Sequence, residues 1–143
     1  MRSAKQIGQC VLLLALALSS DALMADVVVV VSSNSPVIEL SKKQVADIFL
    51  GKERRFPDGR EAVPIDHEDG TAVRDEFYIR YTGKSFAQIK AHWSKIIFTG
   101  RGRPPKEALS GSEVKQWIAE NPNAIGYIEQ SEVDDRVRVL FPK

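Results

Sequence analysis

Leu40-Ser-Lys-Lys-Gln-Val-Ala-Asp-Ile-Phe-Leu-Gly51 specifies a helix from one end to the other. Ser41 offers its hydroxyl to the free N–H groups of the first turn, and Gln44, three residues on, completes a capping box. Leu40 and Val45 flank the cap as a hydrophobic staple. Val45, Ile48 and Phe49 share one helical face. Gly51 follows where a left-handed residue is wanted to end the helix. A helix of this kind lies on a core with its polar face to water.

The neighbouring segments supply that core. Residues 27–31 are five valines in a row, the pattern of a strand buried on both faces of a parallel sheet. Ser32-Ser33-Asn34-Ser35-Pro36 is the polar loop that leaves it. Downstream, Phe56-Pro57-Asp58-Gly59 is a turn. Residues 62–66 form a short strand in which Pro64 requires an edge or a strand end. A second helix carries Val73, Phe77 and Tyr81 every four residues and stops at Gly83. A third opens at Ser85 with Gln88 as its box partner. It shows a wide apolar face of Phe86, Ile89, Trp93, Ile96 and Ile97, with His92 at the edge. Two glycines and two prolines make residues 98–105 a loop. A fourth helix starts near Ser110 with Glu113 as partner, presents Val114, Trp117 and Ile118, and stops at Asn121-Pro122. Residues 124–128 and 137–141 are the last strands. Four strands alternating imperfectly with four helices imply an α/β domain with a mainly parallel sheet and helices on both faces.

The first 25 residues read as a secretory signal. Arg2 and Lys5 form a basic start, and residues 11–18 are an apolar stretch too short to span a bilayer. Small residues permit cleavage after Ala22 or Ala25; the reading takes Ala25, with an uncleaved anchor as the alternative. The lone cysteine, Cys10, precedes the apolar stretch, so residues 26–143 can hold neither a disulfide nor a cysteine-ligated metal. The whole chain carries a formal charge of +1, and losing Arg2, Lys5 and Asp21 with the signal leaves the rest formally neutral. A neutral exported domain without an aromatic stacking pattern is no general nucleic-acid binder. It also has no bulk field for anions, so any anion site must be local.

Several of these segments together resemble PstS-type phosphate-binding proteins of bacterial ABC transporters. They are the quoted helix, Phe56-Pro-Asp-Gly59, Trp93, and Asn121-Pro-Asn-Ala-Ile-Gly-Tyr127, which looks like the family's Asn-Pro-Gly-Ala-Ile-Gly-Tyr element. The likeness runs over residues 27–141 and is to the second lobe. Phe98-Thr-Gly-Arg-Gly-Arg-Pro-Pro105 looks like the short, single-lobe members of the group. The resemblance implies one lobe of a type 2 periplasmic-binding-protein-like fold and a periplasmic location. It also implies a small oxyanion such as phosphate as ligand, and an ABC permease or other envelope protein as partner, with no cofactor. The family binds phosphate with Arg-Ser-x-Gly-Ser-Gly-Thr at a helix start. Here His67-Glu-Asp-Gly-Thr-Ala-Val73 stands at that place: His67 replaces the arginine, Thr71 a serine, and Arg74 is a substitute cation one position further on.

The residues support an anion cradle on their own terms. Asp69-Gly-Thr-Ala72 ends a strand and opens a helix, whose free N–H groups and dipole favour an anion. Gly70 permits close approach, Thr71 brings a hydroxyl, and Arg74 a fork of donors. Ligands of such folds bind at the carboxyl ends of strands, which would bring Ser32, Ser33 and Asn34 alongside. The plainer reading stays open: Thr71 or Asp69 caps the helix and Arg74 pairs with a nearby carboxylate. Asp66 to Asp69 are too close in sequence to converge as a hard-cation site. Lys52, Arg54, Arg55, Arg101 and Arg103 read as exposed basic loops, with a partner or anion surface as the alternative. No Gly-x-Ser-x-Gly elbow or other catalytic constellation is present, so the chain reads as a binder and not an enzyme. The alternative function is a protein-interaction module that kept the lobe and lost the ligand; an exposed apolar face would then mark a partner or a homodimer.

Overall fold

In the computed structural model, which describes residues 26–141, Ser41 caps helix α1 (Lys42–Phe49) as its sequence requires. The Ser41 hydroxyl accepts from the Gln44 N–H at 3.0 Å, and the Gln44 side chain accepts from the Ser41 N–H at 2.8 Å. The expected signal segment, with Cys10 and the cleavage point, lies outside the described residues. Helix α2 is Ala72–Thr82, α3 is Phe86–Phe98 and α4 is Gly111–Glu120. The strands are β1 (Val27–Ser32), β2 (Val63–His67), β3 (Lys106–Ala108), β4 (Ala124–Glu129) and β5 (Val137–Leu140).

The strands form one sheet in the order β3-β2-β4-β1-β5. β2 pairs in parallel with β3 and β4, whereas β1 pairs antiparallel with β4 and β5. Four strands thus share a direction and β1 runs against them. The valine run reported burial on both faces correctly but not direction, because hydrophobic periodicity is the same read either way. Pro64 sits at a strand end: it faces Ile125 of β4, while β3 joins only from Ile65 onward. The sequence reading missed β3, since Lys-Glu-Ala is short and lacks β-branched residues.

Helices cover both faces. On one, Val29, Val31, Ile125 and Tyr127 of the sheet pack with Phe49 of α1, Phe77 of α2 and Trp93 of α3. On the other, Val30, Ile65 and Ile128 pack with Val114 and Ile118 of α4. The third helix buries a narrower stripe than its sequence suggested. Ile89 and Trp93 are buried, but Phe86 is 40% and Ile97 56% exposed. Among the described residues, α3 packs on α2 as an outer helix and no further layer covers its flanks. His92 holds the end of α1, its Nε2 lying 2.8 Å from the Leu50 carbonyl oxygen.

Gly51 is required twice. Its φ is +74°, and a Cβ there would lie 2.9 Å from the Trp93 ring. Left-handed strain and overpacking together predict that Gly51→Ala costs about 2 kcal/mol. The check is the urea midpoint, and an unchanged midpoint would contradict the close approach of Trp93.

Candidate functional site

Open α/β sheets place ligands at the carboxyl ends of their parallel strands, here the ends of β2, β3 and β4. Beyond β2 the chain turns through Glu68, Asp69 and Gly70, with Gly70 at φ +84°, and enters α2 at Thr71. Ser41, Ser85 and Ser110 each cap their helix with a side-chain hydrogen bond. Thr71 does not: its hydroxyl donates backward to the Glu68 carbonyl at 2.9 Å. Among the described residues, the first N–H groups of α2 have no side-chain acceptor, and an anion at this end would meet the positive end of the helix dipole.

Arg74, one turn into α2, is buried at 6% exposure. Its Nη1 donates to Asp69, to Glu107 at 3.1 Å and to the His67 carbonyl at 3.2 Å. Its Nη2 lies 3.7 Å from Asp66. Behind it, Asp66 is 1% exposed and accepts from the Tyr78 hydroxyl at 2.5 Å, from the Tyr127 hydroxyl, and from the His67 N–H at 2.9 Å. Burial pushes the Asp66 carboxyl above its ordinary value, and the Arg74 charge and the two tyrosine donors pull it back. Burial, followed by the Asp66 charge, raises Tyr78 and Tyr127 well above the ordinary tyrosine value, so both hydroxyls stay protonated and donate.

The remaining expected residues fall elsewhere. His67 is buried with its ring 4.7 Å from that of Tyr127. Its Nε2 lies 2.7 Å from the Tyr127 carbonyl oxygen, which can only accept, so that nitrogen carries the proton and is already occupied. Ser32, Ser33 and Asn34 do not join the loop. β1 ends beside the first residues of β4, which lie beside the first residues of β2. That puts Ser32 at the opposite end of the sheet from Gly70, roughly 15 Å away along β2. The expectation assumed that β1 runs parallel to β2, and the reversal of β1 overturns it. Ser32 instead accepts from the Asn34 N–H at 3.2 Å, and Ser33 donates to the Arg136 carbonyl at 3.2 Å.

Gly70, Thr71 and Arg74 are thus brought together, with three carboxylates that set the chemistry. Asp66, Asp69 and Glu107 surround one guanidinium, so its charge is matched from within the chain and its Nη1 donors are taken. Asp69 and Glu107 have side chains 55% and 45% exposed and can swing aside, whereas Asp66 cannot. Sequence reasoning missed Asp66, Tyr78, Tyr127 and Glu107 as site residues. Tyr78 stands four residues after Arg74 and could have been found on its helical face; Glu107 sits on the strand that left no signal.

Three solved structures share this architecture. A phosphate ABC transporter substrate-binding protein with bound phosphate, from Clostridium perfringens, superposes with a TM-score of 0.62 at 27% identity over 80% of this chain and 43% of its own. An ABC-type phosphate transport receptor from Vibrio cholerae gives 0.56 at 17% identity, over 80% of this chain and 44% of its own. PstS from Borrelia burgdorferi gives 0.55 at 14% identity, over 82% and 49%. The chain therefore has a PstS-like fold, a five-stranded α/β lobe flanked by helices. It spans less than half the length of each of these structures. No protein-family model and no curated protein matches it.

Proposed function

We propose that the protein is an exported solute-binding lobe that takes a small oxyanion, phosphate or a close analogue, at the β2–α2 loop, and that it is not an enzyme. The observation that carries this reading is the start of α2: an uncapped helix end at the carboxyl end of a parallel strand, in a fold shared with substrate-binding proteins. The ligand would rest on the N–H groups of the first turn and on the Thr71 hydroxyl. Asp69 and Glu107 would have to leave Arg74 before an oxyanion could use its guanidinium. A facing surface, from a permease, another envelope protein or a second copy, would complete the clamp. Uptake or sensing in the periplasm follows from the expected signal segment.

One feature favours a second reading. The carboxylates that fill Arg74 suit a lobe that kept its shape and docks on a protein instead. The two readings separate by titration calorimetry with phosphate, sulfate as control. Removing the competing carboxylates in Asp69→Asn/Glu107→Gln is expected to tighten phosphate binding about tenfold or more, equal to about 1.4 kcal/mol. No heat from phosphate in either folded protein would overturn the oxyanion reading and select the interaction module.

A further inference from the structure

A cavity lies at the other end of the sheet, where β2 and β3 begin. It is a groove of about 890 Å³ between the end of α1, α3 and the 101–105 loop. That volume is within the range of small-molecule sites. Its apolar lining includes Ile48, Ala62, Trp93, Ile96 and Pro105. Lys52, Arg54, Arg101, Arg103 and Lys106 also line it, against two carboxylates, Glu53 and Glu61.

The charges there contrast with those around Arg74. Among the described residues, none of these five cations forms an ion pair. Glu53 pairs with none of them: its carboxylate accepts from the backbone N–H groups of Arg54 and Arg55, both at 2.9 Å, and the five cations outnumber the two carboxylates. Arg54 holds the loop by donating to the Arg101 carbonyl at 3.1 Å. Trp93 is 6% exposed, and its indole N–H has no hydrogen-bond partner among the described residues. Lys106 lies over the Trp117 ring at 3.9 Å, which leaves the other four cations as the rim. A cationic rim free of ion pairs over an apolar floor concentrates anions that carry an apolar body, and a bare inorganic ion would use only the rim.

We infer that this groove is a binding site for a small organic anion, a phosphate ester on a ring-sized apolar group, separate from the β2–α2 loop. Trp93 and Ile96 receive the ring, while Arg101 and Arg103 receive the phosphate. The proposal does not depend on the oxyanion reading, because the two places lie at opposite ends of β2.

The test is a fluorescence titration of the Trp117→Phe protein, in which Trp93 is the remaining tryptophan. The probes are phenyl phosphate, inorganic phosphate and benzyl alcohol. Phenyl phosphate is expected to change Trp93 emission saturably and to bind about tenfold or more tighter than either fragment. Arg101→Glu/Arg103→Glu, on an exposed loop, is expected to weaken it about tenfold or more while the far-ultraviolet spectrum stays unchanged. An absent or non-saturable response, equal affinity for the three probes, or indifference to the loop substitutions would each overturn the proposal.

Discussion

Arg74→Ala is expected to cost about 3–5 kcal/mol of stability, the loss typical when one partner of a buried ion pair is removed. The reason is Asp66. It is 1% exposed and lies beside Arg74 and two tyrosine hydroxyls that donate to it. Without the guanidinium its carboxylate is a buried charge held only by neutral donors. Domains of this size are stable by about 5–15 kcal/mol, so the substitution takes a large share of the whole. The loss is also expected to depend on pH, with a definite sign. Burial already raises the folded-state value of Asp66, and Arg74 counteracts that rise. Removing Arg74 moves the folded value further up, while the unfolded value stays near 3.9. Between the two, the folded chain binds more protons than the unfolded chain, so stability falls as pH rises through that window. Urea unfolding should therefore show a larger deficit at neutral pH than at mildly acidic pH. Asp66→Asn in the same background should flatten the difference. A deficit that is small, or the same at both pH values, would mean that Arg74 does not carry the Asp66 charge.

Phe77→Ala is expected to cost about 3–5 kcal/mol through a different cause, the cavity left by a large aromatic ring. Phe77 is fully buried and lies at the centre of an aromatic cluster. Its ring stacks on Tyr127 with centroids 3.9 Å apart and meets Phe49 edge-on at 4.7 Å. Tyr81 and Tyr78 complete the contacts at 4.9 and 5.1 Å. The cluster joins α1, α2 and β4, so the gap cannot be closed by a single rotamer change. Phe98→Ala is the matched comparison: the same residue type, 93% exposed at the end of α3, is expected to change stability by less than about 0.5 kcal/mol. Equal midpoints for the two variants would place Phe77 outside the core.

These two results concern different kinds of information. Phe77 was legible in the chain as the middle of Val73, Phe77 and Tyr81. The helix caps at Ser41, Ser85 and Ser110 were legible too, because a cap is made by residues three positions apart. So were the stops at Gly51 and Gly83, both of which adopt positive φ. Arg74 was legible as a candidate, but its role was not. Whether it faces an incoming anion or its own carboxylates depends on Glu107, thirty-three positions away on an unpredicted strand.

What the sequence determined by itself is local: the elements, their ends, the apolar faces and hence the α/β class, since these follow from periods of two and 3.6 residues and from capping at short range. What only the tertiary structure decided is directional and long-range. The reversal of β1 separates Ser32, Ser33 and Asn34 from the α2 start, because an apolar run has no polarity of its own. The pairing of β2 with β3 brings Glu107 to Arg74, and the pairing of β2 with β4 brings Tyr127 to Asp66. The same folding places five cations from two segments of the chain, none in an ion pair among the described residues, around one groove. Charges gain or lose partners through such pairings, and spacing along the chain does not encode them.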